Sequence, residues 1–212
     1  MAPQYPLARL VTLMGGGTPS KAKPQFWNGS IPWISPKDMD RAEIDSATDY
    51  ITEEAIAESS AQVVEPGSVL VVVRSGILAH KVPIAITHVP VAINQDIKAL
   101  VPNPHLLLGR YLKYFLDSVN SNLVTAYVKR GATVHSIDIG KFRELTVPLY
   151  PLTEQRRIVE ILDQADALRR KRVEADALAA RIAPALVENS WRANSGESTN
   201  LGSVTLDFRY GT

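Results

Sequence analysis

The stretch that decides the architecture is TEQRRIVEILDQADALRRKRVEADALAARIAPALVENSW, residues 153–191. It contains no glycine, and most of its residues are strong helix formers. Thr153 is a suitable N-cap, and Glu154 places an acid in the first turn. The stretch therefore predicts one helix of about 37 residues, which would be about 55 Å long. Pro184 predicts a kink or a break within it.

Apolar side chains recur along this helix with the 3-4 spacing of a heptad repeat. One series is Ile158, Ala165, Arg172, Ala179 and Leu186, and the other is Ile161, Leu168, Ala175, Ile182 and Asn189. A helix this long cannot be covered by the domain before it, so its apolar stripe requires another helix. The residues predicted to pair are Ile158, Ile161, Ala165, Leu168, Ala175, Ile182 and Leu186.

The sequence before Pro151 has a different character, with short elements of both kinds. The β-branched run Ser68–Arg74 predicts a strand, as does Leu7–Met14, and Leu106–Val119 has apolar residues at helical spacing. The Gly15–Ser20 segment (GGGTPS) predicts an irregular loop. The fold class expected is α+β, with a mixed α/β domain over residues 1–150 followed by the long helix over 151–192.

For residues 193–212 we predict a linker followed by the start of a second copy of the domain. Residues 201–212 (LGSVTLDFRYGT) align without gaps on residues 7–18 (LARLVTLMGGGT), with leucine at both starts and Gly-Thr at both ends. This is what the beginning of a second copy of the domain would look like.

Composition excludes several classes of protein and site. The absence of cysteine excludes disulfides and thiolate metal sites, and the four histidines (His80, His88, His105 and His135) lack zinc-ligand spacing. No signal-peptide pattern opens the chain, and no run approaches the roughly 20 apolar residues of a membrane span. We therefore expect a cytoplasmic protein.

The net charge of +1 conceals an uneven distribution. Residues 1–36 carry three bases and no acid, residues 37–65 carry nine acids and two bases, and residues 66–149 carry nine bases and four acids. An acidic segment thus masks two basic ones. A basic face that attracts phosphates can exist without a basic total, although a mixed solvated surface would show the same counts.

Six motifs, in order along the chain, resemble one known family. They are Gly16–Ser20 (GGTPS), Asn28–Ile34 (NGSIPWI), Arg74–Gly76 (RSG), Ala92–Asp96 (AINQD), Gly131–Thr133 (GAT) and the run from Val147 (VPLYPL) through Glu154 (EQRRIV) to Asp163 (ILD). Together they cover nearly the whole chain, which resembles the specificity subunit of type I restriction-modification systems.

The resemblance implies a DNA-reading role. Members usually carry two target-recognition domains, each followed by a long helix, and the two helices pack antiparallel and set the gap between the halves of a split target. The helices also dock methyltransferase (modification) subunits, which restriction subunits join. The specificity subunit is not catalytic and needs no cofactor, because any S-adenosylmethionine is bound by the partner. With one domain and one helix, this chain is either a fragment or a half-subunit that forms a homodimer and reads a symmetric site.

Candidate DNA contacts are the polar and basic side chains of three loops, where phosphates and base edges are commonly bound. They are Thr18, Ser20, Lys21, Lys23, Arg74, Ser75, Lys81, Lys129, Arg130, Thr133 and His135. The alternatives are a flexible turn at Gly15–Ser20 and an Arg74 that only pairs with an acid. Asn94-Gln95-Asp96 is expected to hold the sheet together, and Trp27 and Trp33 to anchor the core or loops.

Two other functions compete with DNA recognition. Asp96-Ile97-Lys98 matches half of a metal-dependent nuclease site, for which Glu65 is the only suggested second carboxylate. The long helix would equally suit a scaffold or dimerisation module that binds no DNA. A fused methyltransferase is disfavoured, because no Asn/Asp-Pro-Pro-aromatic motif occurs.

Overall fold

The computed structural model describes residues 2–193, which divide into two compact units between Leu162 and Asp163. Over these residues the strands are β1 Gln4–Pro6, β2 Val11–Gly15, β3 Trp27–Ile34, β4 Glu43–Ile44, β5 Asp49–Ile51, β6 Val63–Val64, β7 Val69–Val72, β8 Arg74–Ser75, β9 Ile84–Thr87, β10 Val91–Ile93, β11 Ile97–Pro102, β12 Val128–Lys129, β13 His135–Ile137 and β14 Thr146–Pro148. The helices are α1 Glu53–Glu58, α2 Gly109–Ser118, α3 Asn120–Asn122, α4 Ile139–Arg143 and α5 Leu152–Ala193. The mixed α and β fold with one long helix confirms the predicted class.

A five-stranded sheet in the order β2-β11-β7-β9-β4 carries the main core. Its central strand β7 lies within the predicted Ser68–Arg74 run, and all four of its side chains are buried. A continuous apolar run of this kind is expected of a strand covered on both faces, and α2 packs against β7 and β9. The turn Pro66-Gly67 precedes the strand, and Gly67 adopts a φ of +82°, which side chains rarely tolerate.

The predicted strand ends early because the chain is interrupted at Val73. The backbone N–H groups of Val73 and Arg74 both donate to the carbonyl of Asp96, at 2.8 and 3.3 Å. Arg74 therefore begins a separate strand, β8, which joins a different sheet of order β12-β13-β8.

A four-stranded sheet in the order β5-β3-β10-β6 forms a second layer. Strands β3 and β10 run parallel, with Ala92 opposite Trp33 and Ile93 opposite Ile34. A smaller apolar cluster lies here and includes Phe26, Trp33, Ile51, Ala55, Ala61 and Ala92. Strand β1 pairs with β14, which brings the two ends of the first domain together.

The opening strand was predicted too long. Residues Leu7–Arg9 form a 3-10 turn, and the strand proper begins at Val11. The turn buries Leu7 and Leu10 in the main core, and the Leu7 N–H donates to the carbonyl of Leu145 at 2.8 Å. Tertiary burial thus overrides the local strand preference.

The long helix begins at Leu152, one residue before the predicted N-cap Thr153. The carbonyl of Pro151 accepts from Glu154 N at 2.9 Å and from Gln155 N at 3.0 Å, so it fulfils the role given to the Thr153 cap. The helix continues through Pro184 to Ala193, so of the kink or break predicted at this proline, the break was wrong and the kink stays a prediction. The suggested second domain copy lies outside the described residues.

The first turns of α5 are fixed to the domain by a buried glutamine. Gln155 is fully buried; its Oε1 accepts from Leu108 N at 2.9 Å, and its Nε2 donates to the carbonyls of Leu106 and Tyr150, each at 2.8 Å. Tyr111 of α2 reinforces the joint by donating to the carbonyl of Pro148 at 2.8 Å. Burial raises the pKa of Tyr111 to about 12, so this donor stays protonated at neutral pH.

The predicted pairing stripe divides into two parts. Ile158 packs, partly buried, against the core of the domain itself. From Ile161 onward the stripe is open, with Leu168, Ile182 and Leu186 all exposed. Over the described residues, no helix is long and apolar enough to cross a membrane.

Candidate functional site

A tight turn between β10 and β11 organises the candidate site. Asn94 is buried, and its side-chain oxygen accepts from Asp96 N at 3.0 Å. Its amide nitrogen lies 3.4 Å from Asp96 Oδ2, and its backbone N–H donates to the carbonyl of Ile34 at 2.9 Å. Gln95, between them, is exposed. The structural role favoured for Asn94-Gln95-Asp96 is therefore what the hydrogen bonds show.

The glycine loop, residues 16–20, is held on one side of this turn. The Thr18 hydroxyl donates to Gln95 Oε1 at 2.7 Å, and Gly17 N donates to the carbonyl of Ile93 at 3.0 Å. A Cβ at Gly16 would lie 1.8 Å from the same Ile93 carbonyl oxygen, so only glycine fits this approach. The loop is thus a packed element, which contradicts the alternative of a flexible turn.

The side chains of two tryptophans donate hydrogen bonds to the backbone of the glycine loop. The indole N–H of Trp33 donates to the carbonyl of Gly17 at 3.0 Å, and that of Trp27 to the carbonyl of Ser20 at 3.2 Å. The two rings meet edge to face with centroids 5.3 Å apart. Both residues therefore anchor the loop, as the sequence predicted. Thr18 and Ser20 are left on its exposed surface.

The lysines after the glycine loop differ in their surroundings. Lys21 is exposed. Lys23 forms an ion pair with Glu58 at 2.7 Å, and its ammonium lies 4.5 Å from the centre of the Phe26 ring. Part of the charge of Lys23 is therefore neutralised by the acidic segment, which leaves Lys21 as the stronger candidate for an anionic ligand.

Arg74 is held on the other side of the 94–96 turn. Its Nε donates to Asp96 Oδ1 at 2.8 Å, while 61 % of its side chain remains exposed. The ion pair that the sequence left open as an alternative thus exists. It engages Nε, so the terminal amino groups of the guanidinium keep the capacity to bind a phosphate or a guanine edge.

The small sheet β12-β13-β8 brings the second and third predicted loops together. Ser136 of β13 lies opposite Arg74 on one side and Lys129 on the other, and His135 lies opposite Ser75. These residues are about 60 positions apart in the sequence and are neighbours only through this sheet. We call residues 74–75 and 128–137 the basic sheet.

Lys129 is fixed at the edge of the basic sheet by Asp138. The two side chains lie 3.0 Å apart, and 66 % of the lysine side chain is exposed. The hydrogen bond from Lys129, with a second from Lys141 N, lowers the pKa of Asp138. The carboxylate therefore stays ionised at neutral pH and can pair with Lys129.

The remaining candidates lie on the loop and turn beside the basic sheet. Arg130 and Thr133 are exposed, and Gly131 N donates to His135 Nδ1 at 3.2 Å, which closes the loop. Lys81 is also exposed and follows the 3-10 turn Gly76–Ala79, which packs next to β13. The predicted residues therefore form two groups, at the glycine loop and at the basic sheet, and the 94–96 turn binds both.

The nuclease alternative gains no geometric support. Asp96 accepts from Arg74 and Asn94, so both oxygens of its carboxylate are engaged. Within residues 2–193, no group of three or more His, Asp or Glu side chains is arranged to hold a metal ion.

Sequence reasoning missed the linking role of Gln95 and of Ser136. Asn94-Gln95-Asp96 was expected to hold the sheet together, but the contact of Gln95 with Thr18 spans 77 positions and joins segments that the parallel pairing of β3 and β10 brings close. Two short motifs, GGTPS and INQD, could have indicated the contact between Thr18 and Gln95. Each motif contains a polar residue that is exposed in the structure.

Comparison with known proteins agrees with this arrangement. The family model of the type I restriction modification DNA specificity domain matches residues 5–175. The chain is 48 % identical over 155 residues to the specificity subunit of the Escherichia coli type I restriction enzyme EcoR124I/EcoR124II, covering 73 % of this chain and 38 % of that protein. It is 28 % identical over 178 residues to the MjaIX specificity subunit of Methanocaldococcus jannaschii, covering 82 % and 40 %.

Solved structures share the fold. A chain from a structure of a type I restriction-modification complex superposes with a TM-score of 0.68 at 22 % identity, over 89 % of this chain and 45 % of that one. The HsdS subunit from Thermoanaerobacter tengcongensis gives 0.60 at 24 % identity, over 90 % and 44 %. The chain thus spans less than half the length of the relatives it matches. It belongs to the family of type I restriction-modification specificity subunits.

Proposed function

We propose that this chain reads one half of a split double-stranded DNA target for a type I restriction-modification complex. The observation that carries the proposal is the basic sheet, in which Arg74 and Lys129 lie on either side of Ser136 with exposed side chains, and the exposed Arg130 follows Lys129 in the chain. Exposed bases in fixed positions suit phosphates, and Ser75 and His135 offer further donors. The relatives bear the name specificity subunit, which supports the same role.

The glycine loop supplies the second contact. Its exposed Thr18, Ser20 and Lys21 are presented by a backbone that Trp27 and Trp33 hold in place. A preorganised loop loses little conformational freedom on binding, which favours specific recognition. The 94–96 turn contacts the glycine loop through Gln95 and Arg74 of the basic sheet through Asp96, which supports a role for both surfaces in binding the same duplex.

The exposed part of α5 provides the assembly function. Its apolar stripe from Ile161 to Leu186 is uncovered in the chain alone, which supports antiparallel pairing with another helix in a coiled-coil-like manner. If that helix comes from a second copy, the homodimer reads a symmetric target. We further propose that α5 docks the methyltransferase subunits, that a restriction subunit joins them, and that the complex acts on DNA in the cytoplasm. The chain itself is non-catalytic in this proposal, and S-adenosylmethionine is bound by the methyltransferase partner.

The test is the salt dependence of binding to random duplex DNA, measured by fluorescence anisotropy. Counterion release predicts that the logarithm of affinity falls linearly with the logarithm of salt concentration, with a slope of about 0.9 per phosphate contact. K129A/R130A should weaken binding and reduce the slope by about 2, and R74A should also weaken binding.

The matched control is Lys37→Ala. Lys37 is an exposed base in a 2.8 Å ion pair with Asp49, much like Lys129 with Asp138, but it lies in the acidic segment. Affinity should be unchanged in this variant. A flat salt response of the wild type, or a K129A/R130A variant that melts normally and binds equally well, would refute the proposal and favour a scaffold that binds no DNA.

A further inference from the structure

One hairpin of the basic sheet presents an exposed tip. Strands β12 and β13 are antiparallel neighbours, and residues 130–134 join them outside the ladder. All five residues of this tip are exposed. The whole segment 128–137 (VKRGATVHSI) contains two bases, one histidine and no acid. We call this segment the basic hairpin.

The tip of the basic hairpin has a defined shape without a ligand. The backbone N–H of Gly131 donates to His135 Nδ1 at 3.2 Å. A Cβ at Gly131 would overlap the carbonyl oxygen of Val134, so only glycine allows the two backbones to approach this closely. The tip is therefore packed back on the start of β13, and little conformational freedom remains to be lost when it binds a ligand.

Val134 continues the face of the hairpin that carries the bases. Ser136 lies opposite Lys129 on one side and opposite Arg74 on the other. Val134 precedes Ser136 by two residues, and side chains two apart in an extended chain share a face. This face therefore carries an apolar side chain, 52 % exposed, beside two cationic ones.

A second exposed apolar side chain flanks the tip. Ile77 is 38 % exposed and lies in the 3-10 turn Gly76–Ala79, which packs next to β13. A Cβ at Gly76 would lie 3.6 Å from the carbonyl oxygen of Thr133, so the residues directly before Ile77 and Val134 are neighbours. Valine and isoleucine are among the residues most often buried. Their exposure within a basic surface suits a ligand that combines negative charge with apolar groups.

We propose that the basic hairpin enters the major groove of the DNA target and that Ile77 and Val134, the apolar pair, contact the C5 methyl groups of thymine. The inference rests on the proposed function and adds the groove and the base that this surface reads. A two-stranded ribbon fits the major groove, which is about 12 Å wide, and thymine presents its methyl group there.

The minor groove fits the same residues less well. It is about 6 Å wide, which is too narrow for two paired strands with their side chains, and its base edges carry no methyl group. An apolar side chain inserted there would act as a wedge that kinks the duplex. In the major groove, by contrast, Arg74 and Lys129 on the face of Val134 are placed for the phosphates along the groove walls.

The first experiment selects bound sequences from a random duplex pool with the full chain. Sequencing of the fraction bound by the wild type should show thymine enriched at one or more positions. I77A/V134A should lose that preference and keep the others, because its charged and polar contacts are unchanged.

Leu106→Ala is the matched control for this selection. Leu106 is 40 % exposed, but it follows the end of β11, whereas Asp96 and the basic sheet lie at the start of that strand. The variant should therefore select the same sequences as the wild type.

Deoxyuridine then tests the methyl group itself. Replacing a thymidine by deoxyuridine removes only the C5 methyl group and keeps the base pair. At the contacted position of the selected duplex, this change should weaken wild-type binding about fourfold, as expected for one methyl group that is no longer buried. I77A/V134A should bind both duplexes equally, whereas K129A/R130A should bind both more weakly and keep the ratio.

The outcomes separate the thymine contact from the proposed function. The contact would be overturned, and DNA recognition would stand, if the wild type bound DNA with a steep salt dependence but tolerated deoxyuridine at every position. Selected sequences without thymine, or an I77A/V134A variant that melts normally and selects the wild-type sequence, would also overturn it. The deoxyuridine comparison uses the wild type and so does not depend on the folding of a variant. A wild type that binds no DNA would overturn both proposals.

Discussion

Replacing Gln155 tests whether one buried amide joins the recognition domain to its helix. In Gln155→Leu the side chain keeps a similar volume but loses three hydrogen bonds, to Leu108 N and to the carbonyls of Leu106 and Tyr150. A hydrogen bond of this kind contributes a net of about 1 kcal/mol, so the free energy of unfolding should fall by about 3 kcal/mol. With an m-value of about 2 kcal/mol/M, the urea midpoint should fall by about 1.5 M.

The assay is urea unfolding followed by tryptophan fluorescence, because Trp27 and Trp33 lie inside the first unit. Gln155→Glu is the informative companion: it keeps an acceptor for Leu108 N but turns a carboxylate towards two carbonyls. It should be at least as destabilising at pH 7 and should recover part of the loss at low pH, where the protonated acid again donates. Gln164→Leu, at an exposed position of the same helix, is the control and should change stability by less than about 0.5 kcal/mol. A midpoint for Gln155→Leu equal to that of Gln164→Leu would refute the reasoning.

Two further predictions concern the domain that presents the site. In Gly16→Ala the new Cβ would lie 1.8 Å from the carbonyl oxygen of Ile93, so we expect a loss of about 2 kcal/mol or more in unfolding free energy and weaker DNA binding; an unchanged melting temperature would contradict this. The second prediction concerns the carboxyl group of Asp38. Burial alone would raise its pKa, but hydrogen bonds from Thr48 and Ser35 outweigh this effect and lower the pKa. Because the pKa of Asp38 is lower in the folded state than the unfolded-state pKa of about 3.9, the ionised carboxylate stabilises the fold at pH values above about 3.9. This stabilisation is lost as the pH falls through the folded-state pKa. Asp38→Asn should therefore cost about 2 kcal/mol at pH 7, and its difference from the wild type should shrink at pH 3; a constant difference would be the contrary result.

Local composition was sufficient to predict the elements of the fold that depend mainly on residues close together in the sequence. The helix over residues 152–193 follows from a run of helix formers without glycine, and β7 follows from four consecutive apolar residues. At Pro184 a kink or a break was predicted; the break was wrong, because the helix continues past the one backbone hydrogen bond that a proline cannot donate. The opening strand was predicted too long because the burial of Leu7 and Leu10 favours a turn over residues 7–9.

The site could be predicted only as a set of loops. Each loop was recognisable from its glycines and bases, but the pairing of Arg74 with Ser136 and the bond from Thr18 to Gln95 join distant segments. Such contacts depend on the order of strands in a sheet, which periodicity does not encode. Ile158 illustrates the same limit, since it has the heptad spacing of the free stripe yet packs on the core of the domain.

The turn formed by Asn94, Gln95 and Asp96 has a consequence for how new target specificities can arise. Because it contacts the glycine loop through Gln95 and the basic sheet through Asp96, a substitution in the turn disturbs both surfaces together. Exposed residues such as Lys21 and Arg130 can change without disturbing that framework. Under the proposed function, we therefore expect substitutions of the exposed loop side chains to change the target while the contacts made by the turn, and hence the fold, are retained.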